Sequence, residues 1–268
     1  MADTNITFGQ GLRRIWFRSQ GVLMPVITLI ILLAIWEIAV VGFAIPEYLL
    51  PAPSQIWIAT SAQPALVWGH TMATLKTVLL GFGLSISVSL PLAFALTASQ
   101  TVASAVYPLL ILTQSIPKVA LAPILVIALG ANEMPRIIIT FLVAFFPLVI
   151  AITTGLLSVP SDLVELGRSY RASRLQQMVM IRMPYAIPFI FSGLKTAVAL
   201  AVVGAVVGEF VTSDRGLGYL IQTSTAFFRM PLAYGAMLVL SAMGIILFQL
   251  VAVTERLLFP WATANREQ

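Results

Sequence analysis

The chain offers few groups that could do covalent chemistry, so where its charges fall carries most of the information. It has no Cys, and His70 is its single histidine. Disulfides, thiolate metal sites, Cys nucleophiles, histidine-based zinc sites and His-dependent triads are therefore excluded. A phosphate-binding loop needs Gly-Lys-Ser/Thr after a spaced glycine. Lys76 and Lys195 are each followed by Thr, but Leu precedes both, so no nucleotide site is expected here. The densest polar stretch is Val164-Glu165-Leu166-Gly167-Arg168-Ser169-Tyr170-Arg171-Ala172-Ser173-Arg174, continuing to Ile181-Arg182-Met183-Pro184. Long apolar segments flank it on both sides. A charged loop in that setting suits contact with something outside the lipid.

The loop has its own local logic. Asp162, with Glu165 three residues later, resembles a capping box just after Pro160; Ser173 with Gln176 is a second and cleaner one. Two short helices should meet near Arg171-Ala172. A helix-to-helix corner often needs a left-handed residue, where Arg171 would cost on the order of 1 kcal/mol. Either the corner has another geometry or Arg171 carries that strain. The plainer alternative is a surface hairpin with a solvated face.

Polar groups inside apolar segments are the other candidates, because charge in hydrocarbon is costly. Glu209 lies amid Gly204 and Gly208, small residues that let helices approach; it either lines a translocation path or sits among headgroups. Lys118 and Gln114 stand one turn apart beside Pro117. Lys118 either attracts an anionic solute or snorkels to the interface. Glu37 and Lys195 are expected to pair with partners or lie at the membrane edge. Thr113, Ser115, Ser85, Ser87 and Ser89 are read as bonds between helices, and His70, beside Trp68, as a surface residue.

The elements that must position these groups are membrane spans. Hydrophobic residues make up 59% and charged residues 9% of the 268 residues, against roughly 45–50% and about 25% in soluble domains. The bilayer must solvate most of this chain. The net charge of +5 reflects topology rather than nucleic-acid binding. A span takes about 20 apolar residues, and six are read at 22–42, 72–97, 104–128, 135–157, 186–211 and 233–258. The first is span-length with no small-residue cleavage site after it, unlike a cleaved signal.

With the N-terminus inside, the inner segments hold nine arginines: Arg13, Arg14, Arg18, Arg168, Arg171, Arg174, Arg182, Arg256 and Arg266. The outer ones hold three: Arg136, Arg215 and Arg229. The positive-inside rule therefore places both termini and the 158–184 loop in the cytoplasm. Residues 1–21 form an inner segment whose Leu12, Ile15 and Trp16 suit either an interfacial helix or an ordinary basic flank. Residues 22–258 form the six-helix domain, and 259–268 a tail. Segment 43–70 holds Pro46, Pro51, Pro53 and Pro64 and cannot be one helix. Within it, Ser54 is a candidate N-cap of a short outer helix. Segment 212–232 carries a turn with Gly216 and Gly218.

The 165–184 stretch resembles the "EAA" loop of ABC-importer permeases, on which their ATPase subunits sit. The family pattern is Glu-Ala-Ala, three residues, Gly, nine residues, Ile, one residue, Leu-Pro. Glu165-Leu166-Gly167, Arg171, Ile181 and Met183-Pro184 take those places in register, with Leu for Ala, Gly for Ala, Arg for Gly and Met for Leu. Ser115-Ile116-Pro117-Lys118 through Gly130, and Leu50-Pro51-Ala52-Pro53, are similar to permeases of nitrate, sulfonate and taurine importers. Gly204 through Phe210 and Gly216-Leu217-Gly218-Tyr219-Leu220 resemble members linked to pyrimidine precursors or riboflavin.

The resemblance implies an all-α membrane protein of the type I importer permease fold. It implies a second permease copy or paralogue, two ATPase subunits that bind the ATP, and an extracytoplasmic binding protein that delivers a small anionic or heteroaromatic solute. Glu165, Leu166, Gly167, Arg168, Arg171, Ala172, Ser173, Ile181 and Pro184 become the coupling residues; Gln114, Lys118 and Glu209 are candidates for the path. The competing class is a secondary transporter or channel, driven by an ion gradient and indifferent to an ATPase. A membrane-embedded enzyme would need a cluster of acid, base or metal ligands, which the scattered carboxylates do not supply.

Overall fold

A computed structural model describes residues 7–264, with backbone alone for 7–22. Arg266 and the side chains of residues 11–18 lie outside the described residues. No strand occurs among them. Helix α1 (Thr7–Gly42) runs unbroken through the first apolar segment, so the backbone of residues 11–18 continues the span. Helix α2 (Pro53–Ser61) is short. Helix α3 (Pro64–Ala98) starts well before the expected residue 72 because Pro64 occupies its first turn, where the missing N–H has no partner to lose. The part of segment 43–70 from Pro64 onward is thus helix.

The expected third span, 104–128, is not one continuous helix. Helix α4 (Gln100–Gln114) ends before Pro117, a 3-10 turn (Lys118–Ala120) follows, and helix α5 (Leu121–Leu129) leaves at a bend of 75°. Hydropathy persists across residues 115–120, but Pro117 cannot donate its backbone bond and disfavours helical geometry before it. Helix α6 (Glu133–Leu157) is the fourth span. Helices α7 (Ser161–Ser169) and α8 (Arg174–Gln177) make the polar loop. A π-helical turn, Met178–Arg182, leads into α9 (Met183–Thr212). Helix α10 (Leu217–Ala226) occupies much of what reads in sequence as a glycine turn. Helix α11 (Met230–Leu258) and the short α12 (Pro260–Ala264) complete the described chain. Five helices are long and apolar enough to cross a membrane, and six spans result if the bent α4–α5 pair counts as one.

Helices α3, α6 and α9 form the centre. Ile139, Leu148, Ile152 and Leu156 of α6 are fully buried, as are Val78 of α3 and Val198 of α9. Lipid offers apolar side chains no reason to leave it, so close packing must hold such helices together. Thr140 is the meeting point: a Cβ on Gly81 would overlap its side chain, and one on Gly204 would lie 2.9 Å from its Cα. Serine hydroxyls add bonds between helices. Ser85 donates to Phe141 O (3.2 Å) and Ser89 to Phe145 O (3.4 Å), whereas Ser87 donates within α3, to Gly83 O.

Three polar links join pairs of helices. Lys195 of α9 pairs with Glu255 of α11. Lys76 of α3 pairs with Glu133 at the start of α6 (2.7 Å). Helix α1 joins α2 through Glu37, which accepts from Ser54 N (3.0 Å) and Ser54 Oγ (2.7 Å). Ser54 is therefore not the N-cap. Ala52 takes that position, two residues earlier, and Glu37 supplies from another helix the negative charge that the α2 N-terminus favours. Trp36 against Tyr234, with ring centroids 6.4 Å apart, seats α1 near α11.

Candidate functional site

The 158–184 loop is built on two helix ends. Pro160 takes the N-cap position of α7, with no side-chain cap. The expected Asp162–Glu165 capping box does not form. The helix starts two residues too early for it, leaving Asp162 in the first turn, where a carboxylate still favours the dipole. At the other end, Arg171 N donates to Arg168 O (2.8 Å) and Ala172 N to Gly167 O (3.0 Å). This is the Schellman pattern, which requires a left-handed residue. Arg171 supplies it, at φ +53°. The expected Ser173–Gln176 box is present: Gln176 N donates to Ser173 Oγ (3.2 Å) and Ser173 N to Gln176 Oε1 (2.8 Å). Gln177 Nε2 donates to Ala172 O (2.9 Å), closing the corner.

The loop then folds back on itself. Gly167 is buried against Ile181; a Cβ there would lie 2.7 Å from Ile181 Cδ1. Pro184 stands in the first turn of α9. Its ring would strike the carbonyl four residues earlier in a continuing α-helix, and the widened turn at 178–182 precedes it. Arg182 Nη1 donates to Leu156 O (2.9 Å), pinning the return to the end of α6.

What α7 leaves outside is informative. Val164 and Gly167 face inward. Glu165 and Arg168 are exposed. Leu163, Leu166 and Tyr170 are 42%, 54% and 80% exposed, spaced to share one flank of the helix. An apolar flank on a charged loop outside the spans is the surface a protein partner would cover. Leu163 and Tyr170 were not among the sequence candidates, although their spacing from Leu166 was the available signal.

Glu209 lies where α9 meets the start of α10. It is fully buried and accepts from Gly218 N (2.7 Å). Gly216 N donates to His70 Nδ1 (3.0 Å) and Leu217 N to Thr74 Oγ1 (2.7 Å). Three successive amides at the α10 N-terminus thus find acceptors on α3 and α9. Gly216 has φ +114°, and a Cβ there would collide with the Glu209 carboxylate. Glu209 holds this turn and borders none of the main cavities among the described residues. His70 is not a free surface residue either; it is half-buried and stacks on Tyr219 at 5.8 Å.

Gln114 and Lys118 do come together, at the bend between α4 and the 3-10 turn. Lys118 Nζ donates to Gln114 O (3.1 Å) and lies 5.1 Å from the Phe146 ring centroid. The ammonium closes the end of α4 and keeps a partly exposed face.

Comparison with known proteins decides between the classes. The family model for binding-protein-dependent transport system inner membrane components matches residues 86–263. The chain belongs to this family. It is 35% identical to the formylaminopyrimidine transport permease protein ThiX of Halalkalibacterium halodurans, over 91% of this chain and 98% of that one. It is 35% identical to the riboflavin transport system permease protein RibX of Chloroflexus aurantiacus, with 88% of each covered. It is 33% identical to a probable ABC transporter permease protein of Haemophilus influenzae, over 84% and 92%. A solved inward-facing structure of the MetNI methionine ABC transporter superposes with a TM-score of 0.58 at 17% identity, covering 71% of this chain and 98% of that one, a likeness of fold. The permease is thus a multi-pass transport subunit of an ATP-driven importer, with the type I fold.

The corner of its polar loop gives a direct prediction. The permease carries an arginine where left-handed geometry favours glycine. Arg171→Gly should relieve about 1 kcal/mol of local strain, partly offset by added freedom of the unfolded chain. Membrane levels and uptake should match the parent protein. A large loss of uptake at normal levels would show that the Arg171 side chain itself makes a required contact.

Proposed function

We propose that the permease transmits the force of a separate ATPase dimer through α7 and α8. In this proposal ATP binds to that partner and none to this chain. The exposed flank Leu163, Leu166 and Tyr170, held by a closed corner outside the spans, carries the proposal. Glu165 and Leu166 meet the partner; Gly167, Arg168, Arg171, Ala172, Ser173, Ile181 and Pro184 belong to the loop that presents them. Both termini and this loop face the cytoplasm in the inner membrane, as the arginine distribution demands. A second permease copy or paralogue completes the pathway, and an extracytoplasmic binding protein delivers the solute.

The solute is a small anionic or heteroaromatic organic molecule. Relatives named for formylaminopyrimidine, riboflavin and taurine transport support that class. Gln114 and Lys118, at the break in the third span, are the groups placed to meet it. Uptake in cells should vanish when the partner ATPase is made catalytically inactive and should persist when the ion gradient is collapsed. The opposite pattern would return the secondary-transporter reading. In the same assay Lys118→Met should lower uptake about tenfold, the worth of one hydrogen bond to a charged group. Lys118→Arg should retain most of it. Unchanged uptake in Lys118→Met would leave Lys118 only as the cap of α4.

A further inference from the structure

A cavity of about 860 Å³ opens between the polar loop and the turn that joins α3 to α4. It is separate from the apolar flank of α7. At 100° per residue, Arg168 falls on the opposite flank from Leu166 and Tyr170. Its lining has two characters. Arg168, Arg174 and Arg182 supply three guanidinium groups, while Phe94, Met178 and Val179 supply an apolar wall. Among the described residues, none of the three arginines is in an ion pair. Arg168 and Arg174 are exposed, and Arg182 is held in place by Leu156 O.

Two further observations place this cavity and define its ligand. The α3–α4 turn links two consecutive spans, so it lies at an aqueous boundary of the bilayer whatever the orientation of the chain. Phe94 lies about one turn before the end of α3, on the span side of that turn. The N-terminus of α4, fifteen residues long and capped by Ser99, also borders the cavity. It adds the positive end of a helix dipole to the three cations. Unpaired guanidinium groups above an apolar wall, at the headgroup level, match an amphiphile with a phosphate on one end.

We propose that this cavity binds the phosphate headgroup of an anionic glycerophospholipid, with its acyl chains along Phe94. The bound lipid bridges the α3–α4 hairpin to the polar loop. The proposal rests on the membrane fold alone and not on the ATPase reading.

The full-length chain, purified in detergent, can be offered phosphatidylglycerol, phosphatidylcholine or inorganic phosphate and examined by native mass spectrometry. One phosphatidylglycerol should be retained in preference to phosphatidylcholine, and millimolar inorganic phosphate should not displace it. Arg174→Gln should weaken that retention about fivefold, the worth of one basic residue at an anionic surface. Arg174→Lys should restore most of it. Arg174 is exposed and, among the described residues, is in no ion pair, so the variant is expected to stay folded. Arg256→Gln, at an exposed position near the end of α11, serves as control and should change nothing. Equal retention of the two lipids, an equal loss in the control, or no loss in Arg174→Gln would each overturn the proposal. Displacement by inorganic phosphate would do so as well, by showing a site for the free anion.

Discussion

Leu166→Asp combined with Tyr170→Asp is expected to abolish uptake while leaving the permease at its normal level in the membrane. Both side chains stand more than half exposed on α7, so the substitutions disturb little packing within the chain. In the assembled transporter the same side chains are proposed to fill an apolar groove of the ATPase. Truncating one such anchor typically costs at least about 2 kcal/mol of binding. A carboxylate left in a desolvated contact without a partner adds several more, on the order of 3 kcal/mol. Two such losses exceed what co-purification survives. Glu165→Lys, on the outer side of the same helix, should act in the same direction with a smaller effect. Full ATPase association in the double variant would show that this flank is lipid- or water-facing and that transmission runs elsewhere.

The second large effect is expected at the link between α9 and α11. Glu255 and Lys195 have side chains 3% and 15% exposed and form an ion pair. Breaking a buried pair by removing one partner strands the other charge and costs about 3–5 kcal/mol. Replacing both with apolar residues of similar volume is often neutral. Glu255→Leu alone should therefore lower the thermal midpoint of the purified permease by about 10 °C. Lys195→Met/Glu255→Leu should recover most of that loss. A double variant as unstable as the single one would mean the pair is held by something more specific than mutual neutralisation.

Much of this architecture could be read from the chain, and the parts that could not share a physical cause. Apolar length locates α6, α9, α11 and the C-terminal end of α1 closely, because a helix in lipid must satisfy its own backbone. The corner at Arg171 and the Ser173–Gln176 box are local interactions, so short sequence windows contain them. The break at Pro117 is also local, yet continuous hydropathy on both sides hides the change of direction it causes. Helix α10 is short and opens on a glycine, so its pattern looks like a turn until α3 and α9 supply the acceptors for its first amides. Glu37 with Ser54, His70 with Gly216 and Glu209 with Gly218 are meetings across elements, which no spacing announces. Glu209 shows the consequence most clearly: its placement in an apolar segment suggested a pathway, and the fold gives it a buried turn to hold.

The central claim is that a separate ATPase seats on α7. The chain contains no cysteine, so a single one can be placed without background. Ser169 is exposed on the outer side of α7, and Gln63 is exposed just ahead of α3, on the external side in the proposed orientation. Ser169→Cys, treated with a short bifunctional thiol-to-amine reagent in membranes that also contain the ATPase, should cross-link to that subunit, with a yield that changes when nucleotide is added. Gln63→Cys should give no such product. A cross-link from Gln63→Cys and none from Ser169→Cys, with the ATPase still bound to the permease, would contradict the account.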